Sequence, residues 1–191
     1  MVQISISSGF YIAAALGILL VPMPWLLALC ISSVIHELSH LLALRRFGVD
    51  IPQIKIASLG AQIVTAPMRP GVEALCALAG PLSGLALLVF WEHYPQLAVC
   101  ALVQTCCNLI PIEPMDGGRV LRCTLEILCE ERNFIPILRG TQKILILFLG
   151  GLTIIYCTSE EINFHGIIFA SLLLAGKFIK IPCKQRKQIV Q

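Results

Sequence analysis

The chain has 191 residues, of which 57% are hydrophobic and 13% are charged, and its formal net charge at pH 7 is +3. Soluble domains carry about 25% charged residues, so this composition excludes a soluble globular domain and predicts an integral membrane protein. The small net charge gives no indication of a nucleic-acid partner. The length allows about six spans of roughly 20 residues each.

Six apolar segments follow one another along the chain. The first covers about Gly9–Val21 and ends at two prolines, Pro22 and Pro24. It is short for a span, and such a helix is accommodated by local thinning of the bilayer. Because the first basic residue is Arg45, this segment lacks the basic region of a cleavable signal peptide. We therefore interpret it as a retained span.

The second segment runs from Trp25 to about Leu44 and contains His36, Glu37 and His40 in an HExxH arrangement. Residues four apart lie on one face of a helix, so the two histidines are spaced to bind one metal ion. The carboxylate between them is close enough to take a proton from water, as in zinc metalloproteases. Ionisable side chains inside a span are costly and indicate function.

The stretch from Asp50 to Ala66 differs from a span. It has β-branched residues on both sides of Ser58-Leu59-Gly60 and prolines near its ends. This pattern predicts a β-hairpin that follows the HExxH helix and lies next to the metal. Its exposed edge could pair with an unwound substrate segment. The alternative is a structural cap over the cavity.

The third segment covers Gly71–Trp91, and the fourth covers Gln96 to about Cys129 with an interruption at about Pro111–Gly118. A broken helix is tolerated inside a membrane only where it lines a cavity or is buried in protein. Asp116 lies in this interruption, and catalytic zinc usually has three protein ligands. We therefore predict Asp116 as the third ligand, with Glu113 as the competing carboxylate.

The fifth and sixth segments cover about Thr141–Cys157 and Phe164–Ile181, and a basic tail follows at about 182–191. Basic residues mark the connections on one side only: Arg45, Arg46, Arg132, Arg139, Lys143, Lys177, Lys180, Lys184, Arg186 and Lys187. By the positive-inside rule both termini are cytoplasmic. The HExxH site then lies in the membrane towards the cytoplasm, with His36 roughly 15 Å from Arg46. The tail is expected to meet anionic lipid headgroups, with protein docking as the alternative.

These motifs resemble the site-2 protease family of intramembrane zinc metalloproteases, peptidase family M50. His36–His40 matches the HExxH motif of that family, and Asn108–Gly117 matches its NxxPxxxxDG motif. Ala79-Gly80-Pro81 resembles its AGP segment. The short six-span form is most similar to the group that contains the sporulation factor IVFB protease. One departure is Gly84, which stands where family members often have Asn.

The resemblance implies a role for each matching residue. His36, His40 and Asp116 would bind one Zn²⁺ ion, and Glu37 would be the general base. Asn108 would hydrogen-bond the substrate backbone or the developing oxyanion. The implied substrates are membrane proteins, for example an anti-sigma or pro-sigma factor, with a regulatory membrane partner as a further expectation.

We thus predict an all-α polytopic membrane protein with about six transmembrane helices and a small membrane-associated hairpin. The expected organisation is a single metalloprotease domain over residues 1–191, with a catalytic core at about 25–130 and accessory spans at about 9–21, 141–157 and 164–181. The predicted function is intramembrane zinc-dependent proteolysis in a bacterial cell membrane. The alternatives are a catalytically silent zinc-binding scaffold and, less favoured, a small metal or ion transporter that uses the same ligands.

Overall fold

The computed structural model describes residues 3–57, 60–129, 136–138, 140–144 and 147. Its elements, in chain order, are strand β1 (Gln3–Ile6), helices α1 (Ser8–Leu20) and α2 (Met23–Arg46), strands β2 (Gln53–Ala57) and β3 (Gly60–Val64), helix α3 (Pro70–Ala86) with a 3₁₀ turn (Leu87–Phe90), and helices α4 (Pro95–Asn108) and α5 (Asp116–Leu128). The predicted sixth span and basic tail lie outside these residues, as does the fifth span apart from 141–144 and 147. The count of six spans therefore stays a prediction.

Two of the described helices are long and apolar enough to cross a membrane. They are α2 and the continuous stretch from Pro70 to Phe90, whereas α1 is a shorter apolar helix. α2 buries Ser32, His36 and His40 but exposes large apolar side chains such as Leu38 and Leu42. A helix on the surface of a soluble protein has the opposite arrangement, with apolar side chains buried and polar side chains exposed to water. A helix with polar groups inside and apolar groups outside fits a lipid environment, in agreement with the predicted membrane association.

The predicted hairpin is present as β2 and β3, which pair antiparallel from Gln53 with Val64 to Ala57 with Gly60. β1 was not predicted. It pairs parallel to the other side of β2, so that the three-stranded sheet has the order β1-β2-β3. This pairing joins residues about 50 positions apart, which a local pattern does not reveal. β3 is left as the edge strand beside α2, and its Ala61 contacts that helix.

The predicted interruption of the fourth segment is also present. α4 ends at Asn108, residues 109–115 form an irregular connection, and α5 begins at Asp116. Gly117 and Gly118 are needed for this chain path, because a Cβ atom on either would overlap the backbone of residues 109–113. The first turn of α5 consequently packs directly on the connection that follows α4.

α3 packs against α2, α4 and α5, and α2 also packs against α4. Small residues allow these close approaches, as is usual where membrane helices meet. A Cβ at Gly84 would overlap the hydroxyl of Thr105 on α4. This contact gives a structural reason for glycine at the position where the family often has Asn. The packing brings the buried faces of α2 and α3 together with the start of α5.

Candidate metal centre

Three buried polar side chains from two distant parts of the chain meet where α2, α3 and α5 pack together. The Nε2 atoms of His36 and His40 lie 3.2 Å apart. Oδ2 of Asp116 lies 3.2 Å from Nε2 of His36 and 3.3 Å from Nε2 of His40. The three residues are only 3%, 6% and 8% exposed, respectively. The structure thus brings together the three predicted ligands, and each has one donor atom close to those of the other two.

The spacing of these atoms fits a tetrahedral Zn²⁺ ion. Zinc binds histidine nitrogen and carboxylate oxygen at about 2.0–2.2 Å, so adjacent donors in a tetrahedron are separated by about 3.3–3.6 Å. The three separations in the structure, 3.2 to 3.3 Å, lie at the short end of that range. Two imidazoles and one carboxylate are also a donor set that zinc accepts in catalytic sites. Three protein ligands would leave a fourth position for water or substrate.

A backbone carbonyl sets the tautomer of His40. Nδ1 of His40 lies 2.8 Å from the carbonyl oxygen of Cys76 on α3. A carbonyl only accepts, so Nδ1 of the ring carries the proton and donates it. In the neutral ring, Nε2 then has a lone pair available for a metal. This contact is the supporting interaction that metal-binding histidines usually have.

α3 also approaches both histidines at Gly80. A Cβ atom there would overlap Nε2 of His40 and would lie 2.7 Å from Cε1 and Nε2 of His36. Any larger residue would therefore push the imidazoles from the positions in which they converge. The Gly of the Ala79-Gly80-Pro81 segment forms one wall of the candidate metal centre.

Asn108 is the last residue of α4 and reaches the same centre. Its amide nitrogen Nδ2 lies 3.2 Å from Nε2 of His36. α4 carries this side chain to the ligands at the point where the helix ends, and the irregular connection then leads directly to Asp116. The two halves of the NxxPxxxxDG motif thus meet in space at His36.

The hairpin contacts Glu37. The backbone N–H of Ala61 on β3 donates to Oε1 of Glu37 at 3.3 Å. Gly60 precedes it with a φ of +123°, a conformation that favours glycine. A Cβ on Gly60 would lie 3.3 Å from the same carboxylate oxygen. The start of β3 therefore covers and orients the carboxylate next to the metal ligands.

Glu113, the competing carboxylate, is engaged elsewhere. Its Oε1 lies 2.9 Å from Nε of Arg122 on α5. Arg122 also forms an ion pair with Glu73 in the first turn of α3 and lies 3.9 Å from Glu126. The arginine and its two closer partners are 24%, 12% and 11% exposed at the side chain. This cluster links α3, α5 and the irregular connection of residues 109–115. It lies beyond His40 in the direction of the C-terminal end of α2.

Replacing Arg122 with Met is expected to lower the free energy of unfolding by about 3–5 kcal/mol, because Glu73 and Glu113 lose the cation between them in a largely buried place. The measurement is unfolding of the purified chain in detergent. Arg69→Met removes an exposed arginine and is the matched control, with an expected change within about 0.5 kcal/mol. Equal effects of the two substitutions would contradict a stabilising role for the cluster.

Sequence reasoning missed several residues of this site. It assigned Cys76 no role in the site, whereas the backbone carbonyl of this residue accepts a hydrogen bond from His40. It did not connect Ala61 with Glu37, or Ser32 on α2 with Gln104 on α4, whose side chains are 2.7 Å apart. The sequence contained one indication of the Ser32–Gln104 contact, namely a polar residue in each apolar segment. Ser32 lies one helical turn before His36, and Gln104 lies one turn before Asn108.

No family model matches the sequence. A zinc metalloprotease of Methanocaldococcus jannaschii is 33% identical over 111 residues, which are 51% of this chain and 33% of that relative. The chain thus matches about a third of the length of this curated relative. A solved structure of a site-2 protease from the same organism superposes with a TM-score of 0.66 at 23% identity, covering 92% of this chain and 88% of the other.

The predicted resemblance to the site-2 protease family is confirmed at the level of the fold by the solved structure. The sequence match supports a resemblance to a zinc metalloprotease. The mostly helical architecture with a small sheet is the fold of the solved site-2 protease. Neither match tests the similarity to the sporulation factor IVFB group, which stays a prediction.

Proposed function

We propose that this chain, which has the fold of a site-2 protease and resembles a zinc metalloprotease in sequence, is an intramembrane zinc metalloendopeptidase. The observation that carries the proposal is the convergence of His36, His40 and Asp116 at tetrahedral spacing, with the carboxylate of Glu37 beside them. We propose one zinc ion for each chain.

The proposed chemistry assigns a task to each nearby side chain. His36, His40 and Asp116 would hold a zinc ion, which when bound supplies a Lewis acid that acidifies water and polarises a peptide carbonyl. Glu37 accepts the proton from the attacking water and delivers it to the leaving amine. Asn108 donates from its amide nitrogen to the carbonyl oxygen as negative charge develops there. The low exposure of the ligands keeps bulk water from the site and strengthens these interactions.

The substrates we propose are membrane-spanning or membrane-proximal segments of other proteins. A peptide in a helix has its carbonyl groups hydrogen-bonded, so the segment to be cut must unwind locally. The open edge of β3 begins at Gly60 and Ala61, beside Glu37, and could receive such a segment as an added strand. Substrates with helix-breaking residues near the cytoplasmic membrane face should therefore be cut best. A sheet that only caps the cavity is the alternative.

The proposed setting is a bacterial cell membrane with both termini in the cytoplasm, as the basic residues predict. A pro-sigma or anti-sigma factor is a candidate substrate class, and a membrane partner that regulates access is compatible with the buried site. The proposed domain is a single metalloprotease unit over residues 1–191. The catalytically silent scaffold remains the competing function, and an intact Glu37 argues against it.

The proposal predicts that cleavage depends on zinc. The purified chain in detergent should contain one zinc for each molecule and should cut a subset of tagged single-span proteins, releasing a cytoplasmic fragment. A zinc chelator should abolish this cleavage, and added zinc should restore it, because the metal supplies the Lewis acid. Quantification of the fragment, together with elemental analysis of the chain, provides the measurement.

The outcomes separate the competing functions. Stoichiometric zinc without cleavage of any protein in the panel, together with stable capture of some of them, would favour the scaffold. Metal transport by the chain in sealed vesicles would favour a transporter. Cleavage that persists after complete removal of zinc would contradict the proposed metalloprotease.

A further inference from the structure

Two polar contacts, one helical turn apart, join α2 and α4. Ser32 on α2 donates to Oε1 of Gln104 on α4 at 2.7 Å, and Nδ2 of Asn108 lies 3.2 Å from Nε2 of His36. Both contacts join residues 72 positions apart, so the two helices run in the same direction with their turns in step. Gln104 and Asn108 are four residues apart on one face of α4. The Ser32–Gln104 contact therefore lies one helical turn from the candidate metal centre.

The contact with Ser32 fixes the orientation of the Gln104 amide. Ser32 is only 2% exposed and gives its hydroxyl proton to the carbonyl end of Gln104. The NH₂ end, which has two protons to donate, is left on the other side of the amide group. Among the described residues, no protein group accepts a hydrogen bond from it. Gln104 is half-buried, so an acceptor from another molecule can reach this amide nitrogen, and a hydrogen bond there is favoured at membrane depth.

The spacing on α4 fits an extended peptide. Four residues of α-helix rise about 6 Å, which separates the side chains of Gln104 and Asn108 along the axis. In an extended chain, carbonyl groups that point to the same side are two residues apart, about 6.6 Å. Two amides at this spacing can bind alternate carbonyls of one unwound segment. In the predicted orientation, Gln104 lies on the side of Asn108 away from the cytoplasm.

We propose that Gln104 is a substrate-binding residue. Asn108 donates a hydrogen bond to the scissile carbonyl. The amide of Gln104 donates to the peptide carbonyl two residues away, on the side of the substrate that lies deeper in the membrane. This inference rests on the proposed function, because it assumes an unwound peptide beside the metal centre. Ser32 acts through Gln104 and is a positioning residue.

The test measures peptide binding without cleavage. The full-length chain with Glu37→Gln, purified in detergent with zinc, is titrated with a fluorescein-labelled synthetic peptide that has a Leu/Ala span, Lys residues at both ends and an Asn-Pro pair near one end. Adding Gln104→Met removes the donor and keeps a side chain of similar length. We expect the Kd for the peptide to rise about tenfold, the effect of losing one hydrogen bond.

The controls separate binding from structure. Gln96→Met makes the same change near the start of α4, two turns before Gln104, and should leave the Kd within about twofold of the Glu37→Gln parent. Ser32→Ala should raise the Kd by a smaller factor than Gln104→Met, because the amide then loses only its anchor. Zinc content should match the parent in the Gln104→Met variant. Its thermal unfolding temperature should fall only slightly, because the Ser32 hydroxyl loses its acceptor but can bond to a carbonyl one turn earlier on α2. In the active background, Gln104→Met should raise KM and leave kcat within about twofold.

The results also distinguish this inference from the proposed function. If the Gln104→Met variant binds the peptide as tightly as its Gln96→Met counterpart, Gln104 does not bind substrate, whereas zinc-dependent cleavage by the wild type would still stand. If binding weakens only together with loss of zinc or with a large fall in the thermal unfolding temperature, the residue is structural and the inference is wrong. Failure of every variant to bind the peptide would overturn the inference as well.

Discussion

Replacement of Glu37 with Gln is expected to reduce the rate of peptide cleavage by roughly 10²–10⁴-fold, the usual contribution of a general base, while zinc stays bound. Glu37 lies between the two histidines in sequence but is not part of the group of converging donor atoms. The substitution retains the shape of the side chain and an oxygen that can accept from the N–H of Ala61. It removes only the ability to take a proton. Loss of activity without loss of metal is thus the specific signature of this role.

The measurement combines single-turnover cleavage of a tagged single-span substrate with elemental analysis of the purified variant. Glu92→Gln is a matched control, since Glu92 is an exposed glutamate in the turn before α4, and it should cleave at the wild-type rate. Wild-type cleavage by the Glu37→Gln variant would exclude this residue as the base. Parallel loss of zinc and activity would instead indicate that Glu37 supports the metal ligands.

The sequence was sufficient to single out the three side chains that converge in the structure, because each of them is marked by a local pattern. His36 and His40 are four residues apart on an apolar helix, and this spacing alone places them on one face. Asp116 is marked by prolines and glycines that interrupt an apolar segment. The structure adds that residues 80 positions apart meet at 3.2 Å. No local pattern sets that distance, which depends on how α5 begins against the connection after α4.

The contacts that support the site were harder to predict, because they use the backbone or pair distant residues. The carbonyl of Cys76 serves His40, and the N–H of Ala61 serves Glu37. A backbone group is present at every position, so its use leaves no trace in composition. The pairing of β1 with β2 is similar, because Gln3–Ile6 is too short to indicate a partner 50 residues away. These contacts depend on helix packing and strand pairing, which only the three-dimensional structure shows.

Replacement of Gly80 with Ala is expected to weaken zinc binding by about 10–100-fold, comparable with the loss of a residue that orients metal ligands. The added Cβ would overlap Nε2 of His40 and crowd the ring of His36 at 2.7 Å. Both imidazoles are almost completely buried, so they cannot move aside into solvent. They must rotate or separate, and a tetrahedral site tolerates little of either. Activity should fall together with zinc occupancy, unlike the result expected for Glu37→Gln.

Gly71→Ala is the matched control for this change, because it lies in the first turn of the same helix and its added Cβ would meet nothing within 4 Å. Alanine favours a helix over glycine by up to about 1 kcal/mol, so a general effect on α3 would stabilise both variants. Zinc titrations followed by cleavage should therefore show a right-shifted zinc dependence for Gly80→Ala and a wild-type one for Gly71→Ala. Partial recovery of Gly80→Ala at high zinc would show that the defect is affinity. Coincident zinc dependence of the two variants would mean that α3 does not constrain the histidines, and the close approach at Gly80 would then be a packing feature alone.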